Sequence, residues 1–291
     1  MLNDLPKSKI LLSKQMFTAM LRLTQKRQWL QPRDEAISEL LHLSEDNDQL
    51  MLLLSLLERI SYVDGAGREQ VLRGFEKQVL DVWKIEPAGT KIVALGDGKG
   101  EESDSAEAVL WMLKDAWADG DCWRPNQFIS SLPAAANALV KNGDVIVFVD
   151  EFVGSGKQSC DRIKWFKGKL KERSIAVTGL YFCAIARSTA TTEDPSDYLD
   201  GYFCALDIPK GISEFYAGGQ LIEARTAMKK LEEMLLAKKG GTQLPSFGRG
   251  ECKALYAMEG GNTPNNVFPI FWWKWLADGI QRRTVLRRTG L

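Results

Sequence analysis

One short segment of this chain constrains its fold more than any other. Residues 145–149 form an apolar run, Val-Ile-Val-Phe-Val, that ends in two carboxylates, Asp150 and Glu151. A loop containing Gly154 and Gly156 follows at once and leads into a helical pattern. Short apolar runs bounded by turn residues are typical of buried strands. The segment therefore predicts a buried strand, an acidic strand end, a tight loop and then a helix.

A second strand-to-loop segment precedes the first one along the chain. Residues 91–96 read as a buried strand, and Asp104 with Glu107 forms a capping box that predicts a helix. The loop between them contains Gly96, Asp97, Gly98, Lys99 and Gly100. Further apolar runs at 175–185 and 202–206 alternate with amphipathic helices. This alternation predicts an α/β fold with a mostly parallel sheet covered on both faces.

The character of the sequence changes twice, which predicts three regions. Residues 1–87 are an N-terminal helical region packed on the core, because the pattern from 8 to 80 is helical. Residues 88–210 are the α/β core. Residues 211–291 are a C-terminal helix followed by a turn-rich aromatic segment, and we expect them to cover the site as a hood.

The composition excludes several classes of site. Lys plus Arg and Asp plus Glu number 38 each, so no overall charge would attract the chain to nucleic acid or an anionic membrane. With His42 as the one histidine and five cysteines without CxxC spacing, we expect no direct metal cluster of side chains. The sequence shows neither a signal-peptide pattern nor 18 consecutive apolar residues, so we expect a cytoplasmic protein without membrane contact.

The acidic strand end and glycine loop suit a phosphorylated sugar. Small residues let backbone N–H groups approach an anion closely, and the following helix N-terminus adds a favourable dipole. Carboxylates at the strand end accept hydrogen bonds from a sugar diol or approach a phosphate-bound Mg²⁺ ion. The same strand would serve as the Walker B segment of a P-loop ATPase. That alternative is weak, because neither glycine loop has the G-x-x-x-x-G-K-[ST] spacing.

Residues 145–156 resemble the phosphoribosyl-pyrophosphate motif of type I phosphoribosyltransferases. The resemblance implies the parallel sheet of that family, and it implies that Asp150 and Glu151 hold the ribose hydroxyls. It assigns the 5′-phosphate to Val153, Gly154, Ser155, Gly156, Lys157 and Gln158. Gln158 departs from the motif, since many members have a hydroxyl residue there. The earlier loop, with Lys99 as a catalytic residue, would bind pyrophosphate, and Mg²⁺ would arrive with the phosphate ligand.

A narrower resemblance connects the whole pattern to phosphoribosyltransferase-like effectors of bacterial antiphage systems, some of them associated with retrons. It rests on the helical N-terminal region, the glycine loop and a late polar turn before an aromatic patch. In this interpretation the turn covers the nucleotide and contacts it through Asn262, Thr263, Asn265 and Asn266. The resemblance also implies protein partners from a defence operon.

Three functions stay open at this point. The first is an enzyme that transfers or hydrolyses at the anomeric carbon of phosphoribosyl pyrophosphate or a nucleotide. The second is an inactive module that senses a nucleotide or binds a partner, which the missing hydroxyl at Gln158 favours. The third is a toxin-like effector released by a partner. A C-terminal cluster is the best candidate for nucleic-acid contact, and it consists of Arg282, Arg283, Arg287 and Arg288.

Overall fold

The computed structural model describes residues 14–96, 105–117 and 122–290. Its helices are α1 (Lys14–Lys26), α2 (Asp34–Leu41), α3 (Asn47–Arg59), α4 (Gly65–Lys77), α5 (Ser105–Trp117), α6 (Leu132–Ala134), α7 (Lys157–Glu172) and α8 (Gly218–Glu233). Its strands are β1 (Ser61–Val63), β2 (Thr90–Ala94), β3 (Phe128–Ile129), β4 (Val145–Val153), β5 (Gly179–Ser188), β6 (Gly201–Ile208), β7 (Lys238–Lys239), β8 (Thr242–Gln243) and β9 (Tyr256–Met258). Single π-helical turns continue α4 at Gln78–Val82 and α6 at Ala135–Leu139.

The core of the described part is a five-stranded sheet in the order β3-β2-β4-β5-β6. All four neighbouring pairs are parallel, and Val147 of β4 lies between Ile92 of β2 and Tyr181 of β5. The α/β fold class with a mostly parallel sheet is therefore confirmed. Because parallel strands end at the same edge, the segments that follow β2, β4 and β5 meet there.

Helices cover both faces of this sheet. On one face Ile146, Phe148 and Phe182 pack against α6 and α7. On the other face the buried residues form one continuous apolar cluster with α4, α5, the N-terminal helices and the C-terminal aromatic segment. Burial on both faces explains why the strands read as unbroken apolar runs.

The N-terminal helices and the C-terminal segment (residues 211–291) are joined to each other as well as to the sheet. The helix α3 packs on α8, and β1 pairs in parallel with β9. Arg59 of α3 donates from Nη1 to the carbonyl oxygen of Gly211 at 2.8 Å and stacks over Phe215. These contacts cross both of the predicted boundaries between regions, at 87/88 and 210/211. The division of the chain into three regions stays a prediction.

Several element boundaries differ from the sequence expectation. The central strand β4 does not end before Asp150 but runs on to Val153, because Phe152 and Val153 continue the pairing with β5 at Ala186 and Arg187. The strand β5 begins at Gly179 and not at residue 175. The N-terminal region, expected to be wholly helical, contains β1 because β9 offers it a pairing edge.

In the part of the chain that the structure describes, no helix combines the length and the apolar character needed to cross a membrane.

Candidate functional site

The two acidic residues lie inside β4, near its C-terminal end, and both are buried. Asp150 is 6% exposed, and its Oδ1 accepts from the Ser105 hydroxyl at 3.2 Å and from the backbone N–H of Glu151 at 2.7 Å. Ser105 is the first residue of α5, so the carboxylate of Asp150 is held at a helix N-terminus. A negative charge is favourable in that position.

Glu151 lies in a different environment, close to Tyr256 of β9. Burial, with the neighbouring charge of Asp150 as a second cause, raises the pKa of Glu151 to about 8, and the side chain of Tyr256 opposes that rise. The Oε1 atom of Glu151 completes no regular hydrogen bond with any described residue, nor does the Tyr256 hydroxyl. A buried carboxyl oxygen without a donor is suited to accept a hydroxyl from a ligand.

The loop after β4 is fixed by the segment that follows β5. Gly156 has a φ of 84°, and a Cβ atom added there would overlap the backbone carbonyl oxygen of Glu193. The backbone N–H groups of Thr192 and Glu193 donate to the Ser155 carbonyl at 3.0 and 3.1 Å. Glycine is required at position 156 both for its backbone conformation and for this close approach.

While the carbonyl groups of this loop are occupied, its N–H groups are open. The backbone N–H groups of Gly154–Gln158 donate to none of the described residues. They lead into α7, whose first turn has no side-chain cap. Open N–H groups at a helix N-terminus form an anion-binding site, because the N–H dipoles and the helix dipole point the same way. We call Asp150, Glu151 and the loop Gly154–Gln158 the strand-end site.

Two side chains of the loop face away from this nest of N–H groups. The Lys157 ammonium pairs with Asp161 on the exposed side of α7 at 3.0 Å. With its amide oxygen turned toward the guanidinium, Gln158 accepts from Arg162 at 2.9 and 3.1 Å. Arg162 also donates to the carbonyl of Leu95 at 2.6 Å, which ties α7 to the end of β2.

The polar turn of the C-terminal segment is divided between two roles. Asn266 lies directly over Gly154, and its Nδ2 donates to the Arg249 carbonyl at 3.0 Å and to the Cys252 Sγ at 3.3 Å. Asn265 lies beside it, with its backbone carbonyl accepting from Arg249 at 2.8 Å. Asn266 therefore contacts the loop of the strand-end site, and its contact with a ligand stays a prediction.

Asn262 and Thr263 instead hold the end of the chain. The Asn262 side chain accepts from the Thr289 N–H at 2.9 Å, and the Thr263 hydroxyl donates to the Arg287 carbonyl at 2.7 Å. These contacts use the Asn262 amide oxygen and the Thr263 hydroxyl. The geometry thus assigns the two residues a structural role.

Part of the predicted site lies outside the described residues. Those positions are Asp97, Gly98, Lys99 and Gly100, together with the helix cap Asp104. Gly96 is described and buried, and the preceding Leu95 donates its N–H to the Val149 carbonyl at 2.9 Å. The start of the predicted pyrophosphate loop therefore lies next to β4, one residue before Asp150.

Sequence reasoning missed three contributors to the site. Ser105 and Tyr256 approach the two acidic residues, and the segment Thr191–Glu193 supports the loop. The polar run that follows β5 could have indicated the supporting segment, because β5 ends at the same sheet edge as β4. No local signal marks Tyr256, because it lies in a short apolar run whose partner strand is distant in sequence.

Among the described residues, Asp150 and Glu151 are the acidic side chains of the strand-end site that could hold Mg²⁺ as part of a ligand complex. Within residues 14–96, 105–117 and 122–290, no group of three or more His, Cys, Asp or Glu side chains could hold a metal ion. Asp150 and Glu151 offer carboxyl oxygens, and Glu151 Oε1 lacks a donor. Mg²⁺ prefers six oxygen ligands, so phosphate oxygens and water would have to supply most of them.

The four C-terminal arginines do not form one exposed surface. Arg282 is buried and donates to the Ile270 carbonyl. Arg283 pairs with Glu35 and Glu39, and Arg288 donates to the Thr263 carbonyl and lies over Trp272. Arg287 is exposed.

Comparison with known proteins gives one family match. The family model described as PRTase-CE matches residues 27–279. Among solved structures, the xanthine-guanine-hypoxanthine phosphoribosyltransferase of Helicobacter pylori aligns over 50% of this chain and 90% of that enzyme, with 14% identity and a TM-score of 0.30. A search of curated proteins gives no match. The family match covers most of the described chain, including every element of the strand-end site.

Proposed function

The chain belongs to the PRTase-CE family and is a phosphoribosyltransferase-like protein; on that premise we propose that its strand-end site binds phosphoribosyl pyrophosphate or a nucleotide and acts at the anomeric carbon. The observation that carries the proposal is the loop Gly154–Gln158, whose open N–H groups lie beside two buried carboxyl groups. The N–H groups suit an anionic part of a ligand and the carboxyl groups suit a part rich in hydroxyls. A ribose 5-phosphate combines these two parts.

In this proposal the 5′-phosphate binds to the loop and the first turn of α7. The ribose 2′ and 3′ hydroxyls donate to Asp150 and Glu151, of which Glu151 has an unpartnered oxygen. Mg²⁺ bound to the pyrophosphate would neutralise part of its charge. These contacts hold the anomeric carbon in one place beyond the sheet edge.

The proposed reaction is a displacement at that carbon. The bond from C1 to the pyrophosphate oxygen breaks, and the leaving group takes the electron pair. A nitrogen or water oxygen of the acceptor forms the new bond to C1 and loses a proton. Electrostatic stabilisation of the departing pyrophosphate supplies most of the catalysis. Lys99 and the loop from Gly96 to Gly100 are our proposal for that role.

A second candidate is a sensor that binds the same ligand without turnover. The specific observation in its favour is Gln158, which stands where a hydroxyl residue is common and which contacts Arg162. We also retain, as a prediction, an effector role in antiphage or retron-associated defence with partner proteins. Expression of the wild-type chain and an Asp150→Ala/Glu151→Ala variant in bacteria tests this, because an effector acting through the site loses toxicity in the variant.

Isothermal titration calorimetry with phosphoribosyl pyrophosphate and Mg²⁺ tests the site. We expect binding by the wild type and a loss of at least about 10-fold in the Asp150→Asn/Glu151→Gln variant, since a charged hydrogen bond such as the one proposed for Asp150 contributes about 1.5–3 kcal/mol. Glu172→Gln, which removes an exposed carboxylate at the far end of α7, is the matched control and should bind as the wild type does.

A coupled assay for released pyrophosphate separates the two candidate functions. Release in the presence of an acceptor, lost in the Asp150→Asn/Glu151→Gln variant, supports the enzyme. Binding without release supports the sensor. No binding by the wild-type chain would contradict both.

A further inference from the structure

A charged cleft lies on the surface between the N-terminus of α2 and residues 274–284. Its volume is about 370 Å³. The charged side chains that line it are Arg33, Asp34, Glu35, Lys274, Arg282 and Arg283. None of the residues that surround the loop Gly154–Gln158 contributes to it, so it is separate from the strand-end site.

The charges of this cleft do not balance. Arg283 is neutralised, because it pairs with Glu35 at 3.0 Å and with Glu39 at 2.9 Å. The other three cations, Arg33, Lys274 and Arg282, form no salt bridge within the part of the chain described here. Asp34 is the one lining carboxylate outside these pairs, so four cations face the three carboxylates Asp34, Glu35 and Glu39 and exceed them by one charge. The cleft therefore carries an excess of positive charge.

The most unusual member is Arg282, which is only 7% exposed. Its Nη2 donates to the Ile270 carbonyl, while Nε and Nη1 are buried without a partner among the described residues. Burial lowers the pKa of Arg282 to about 10, with Glu39 opposing the shift, so the group stays charged at neutral pH. Glu39 acts on Arg282 through its charge, but no described residue accepts a hydrogen bond from Nε or Nη1. A buried guanidinium with unbonded N–H groups is costly, and an anion in the adjacent cleft would offset part of that cost.

The backbone of the cleft favours the same kind of ligand. The helix α2 begins at Asp34, and its N-cap residue, Arg33, provides no side-chain cap. The partial positive charge of a helix N-terminus thus adds to that of the side chains. Arg33 is held in place because its guanidinium stacks 5.2 Å from the Trp29 ring centre, on a Trp29–Tyr62 pair whose rings are 4.4 Å apart. A fixed cation binds an anion without losing side-chain entropy.

We propose that this cleft, called here the anion cleft, binds the phosphate or pyrophosphate group of a small phosphorylated ligand. Its walls are Arg33, Lys274 and the N-terminal turn of α2, with the charge of Arg282 beneath. A nucleic acid fits less well, because a polymer backbone needs a continuous basic surface. Here Arg283 and Arg288 are used in internal contacts, and acidic Glu35 borders the opening.

Calorimetric titration of the full chain with inorganic pyrophosphate in the absence of Mg²⁺ tests the proposal. We expect Lys274→Gln to weaken binding at the anion cleft by at least about 10-fold, as one charged contact is lost. Lys274 makes no side-chain hydrogen bond to a described residue, so the variant should fold with an unchanged Tm. Arg287→Gln removes the same charge from an exposed neighbouring position outside the cleft and should bind normally.

Three further readouts make the result decisive. The Asp150→Asn/Glu151→Gln variant should still bind pyrophosphate at the anion cleft, where Lys274→Gln weakens binding. This difference separates the proposal from the proposed function of the strand-end site. Arg33→Gln should weaken binding as Lys274→Gln does. Equal affinity in the wild type, Lys274→Gln and Arg33→Gln would overturn the proposal. So would a short oligonucleotide that binds more tightly than pyrophosphate and is lost in Lys274→Gln, because it would identify a polymer as the ligand.

Discussion

Gly156 is the residue on which the geometry of the loop Gly154–Gln158 depends most. Its φ of 84° is unfavourable for other residues, and any Cβ would overlap the Glu193 carbonyl. Gly143 has the same φ but open space around its Cβ position, which makes it a matched control. We predict that Gly143→Ala costs about 1–2 kcal/mol of unfolding free energy, the cost of the backbone conformation alone. Gly156→Ala should cost more and should abolish ligand binding.

Urea denaturation gives the unfolding free energies of the two variants, and calorimetry with phosphoribosyl pyrophosphate gives their affinities. Equal costs for Gly143→Ala and Gly156→Ala would mean that the loop accommodates the extra atom. Retained binding by Gly156→Ala would show that the ligand does not use this loop.

Glu151 should make the stability of the protein depend on pH. Its pKa is raised from 4.5 to about 8 on folding, so the folded state favours the protonated carboxyl. Its stabilising contribution is complete below pH 4.5 and is lost as the pH rises toward 8. We predict that Glu151→Gln, which cannot ionise, gains in Tm relative to the wild type over this range, by about 2–4 °C per kcal/mol.

Thermal unfolding of both proteins at a series of pH values between these limits measures the difference in Tm. Glu172→Gln, which removes an exposed carboxyl on α7, is the control substitution. A constant difference between wild type and Glu151→Gln across the series would contradict a raised pKa at this position.

At the scale of elements, the C-terminal segment packs against the loop Gly154–Gln158, most closely where Asn266 meets Gly154. A Cβ added to Gly154 would overlap the Asn266 amide group, which itself donates to Arg249 and Cys252. We predict that Gly154→Ala destabilises the protein and weakens ligand binding, and that Asn266→Ala in the same chain restores part of both by making room. A double-mutant cycle on unfolding free energies measures the coupling, expected within about 0.5–3 kcal/mol. Additive effects would show that the two elements are independent.

Elements and local site residues were predictable to different degrees. The apolar run 145–149 and the glycine loop predicted the strand, the loop and α7, because these follow from patterns in neighbouring residues. The extension of β4 to Val153 depends on pairing with β5, and the approach of Tyr256 to Glu151 depends on β9. Such contacts join residues far apart in sequence, so a local sequence pattern does not predict them.

The polar turn illustrates the same limit within a single loop. Asn262, Thr263, Asn265 and Asn266 are all polar residues of one turn, and Asn266 is the one whose amide lies against Gly154. Asn262 and Thr263 are held by residues 287–289. Composition predicted a polar turn, while the packing of the chain end determined which side chain faces the site.

For the whole molecule, the sheet and both flanking regions share one apolar cluster in the described part of the chain. We therefore predict a single cooperative unfolding transition. Leu53 of α3 is fully buried, and Leu53→Ala should cost about 2–5 kcal/mol through the cavity it leaves. Met51 on the same helix is 53% exposed, so Met51→Ala should change stability by less than about 0.5 kcal/mol.

Urea titration followed by tryptophan fluorescence and by far-ultraviolet circular dichroism tests this prediction. Coincident midpoints in the wild type and in Leu53→Ala are expected. Two separate transitions would contradict a shared core and would favour independent regions.

The central claim is that the strand-end site binds a ribose 5-phosphate group. The most direct test is a crystal structure of the chain with phosphoribosyl pyrophosphate and Mg²⁺. We predict the 5′-phosphate on the N–H groups of Gly154–Gln158 and the ribose hydroxyls on Asp150 and Glu151. A ligand bound elsewhere, or one in this site with its phosphate turned away from the loop, would contradict the account.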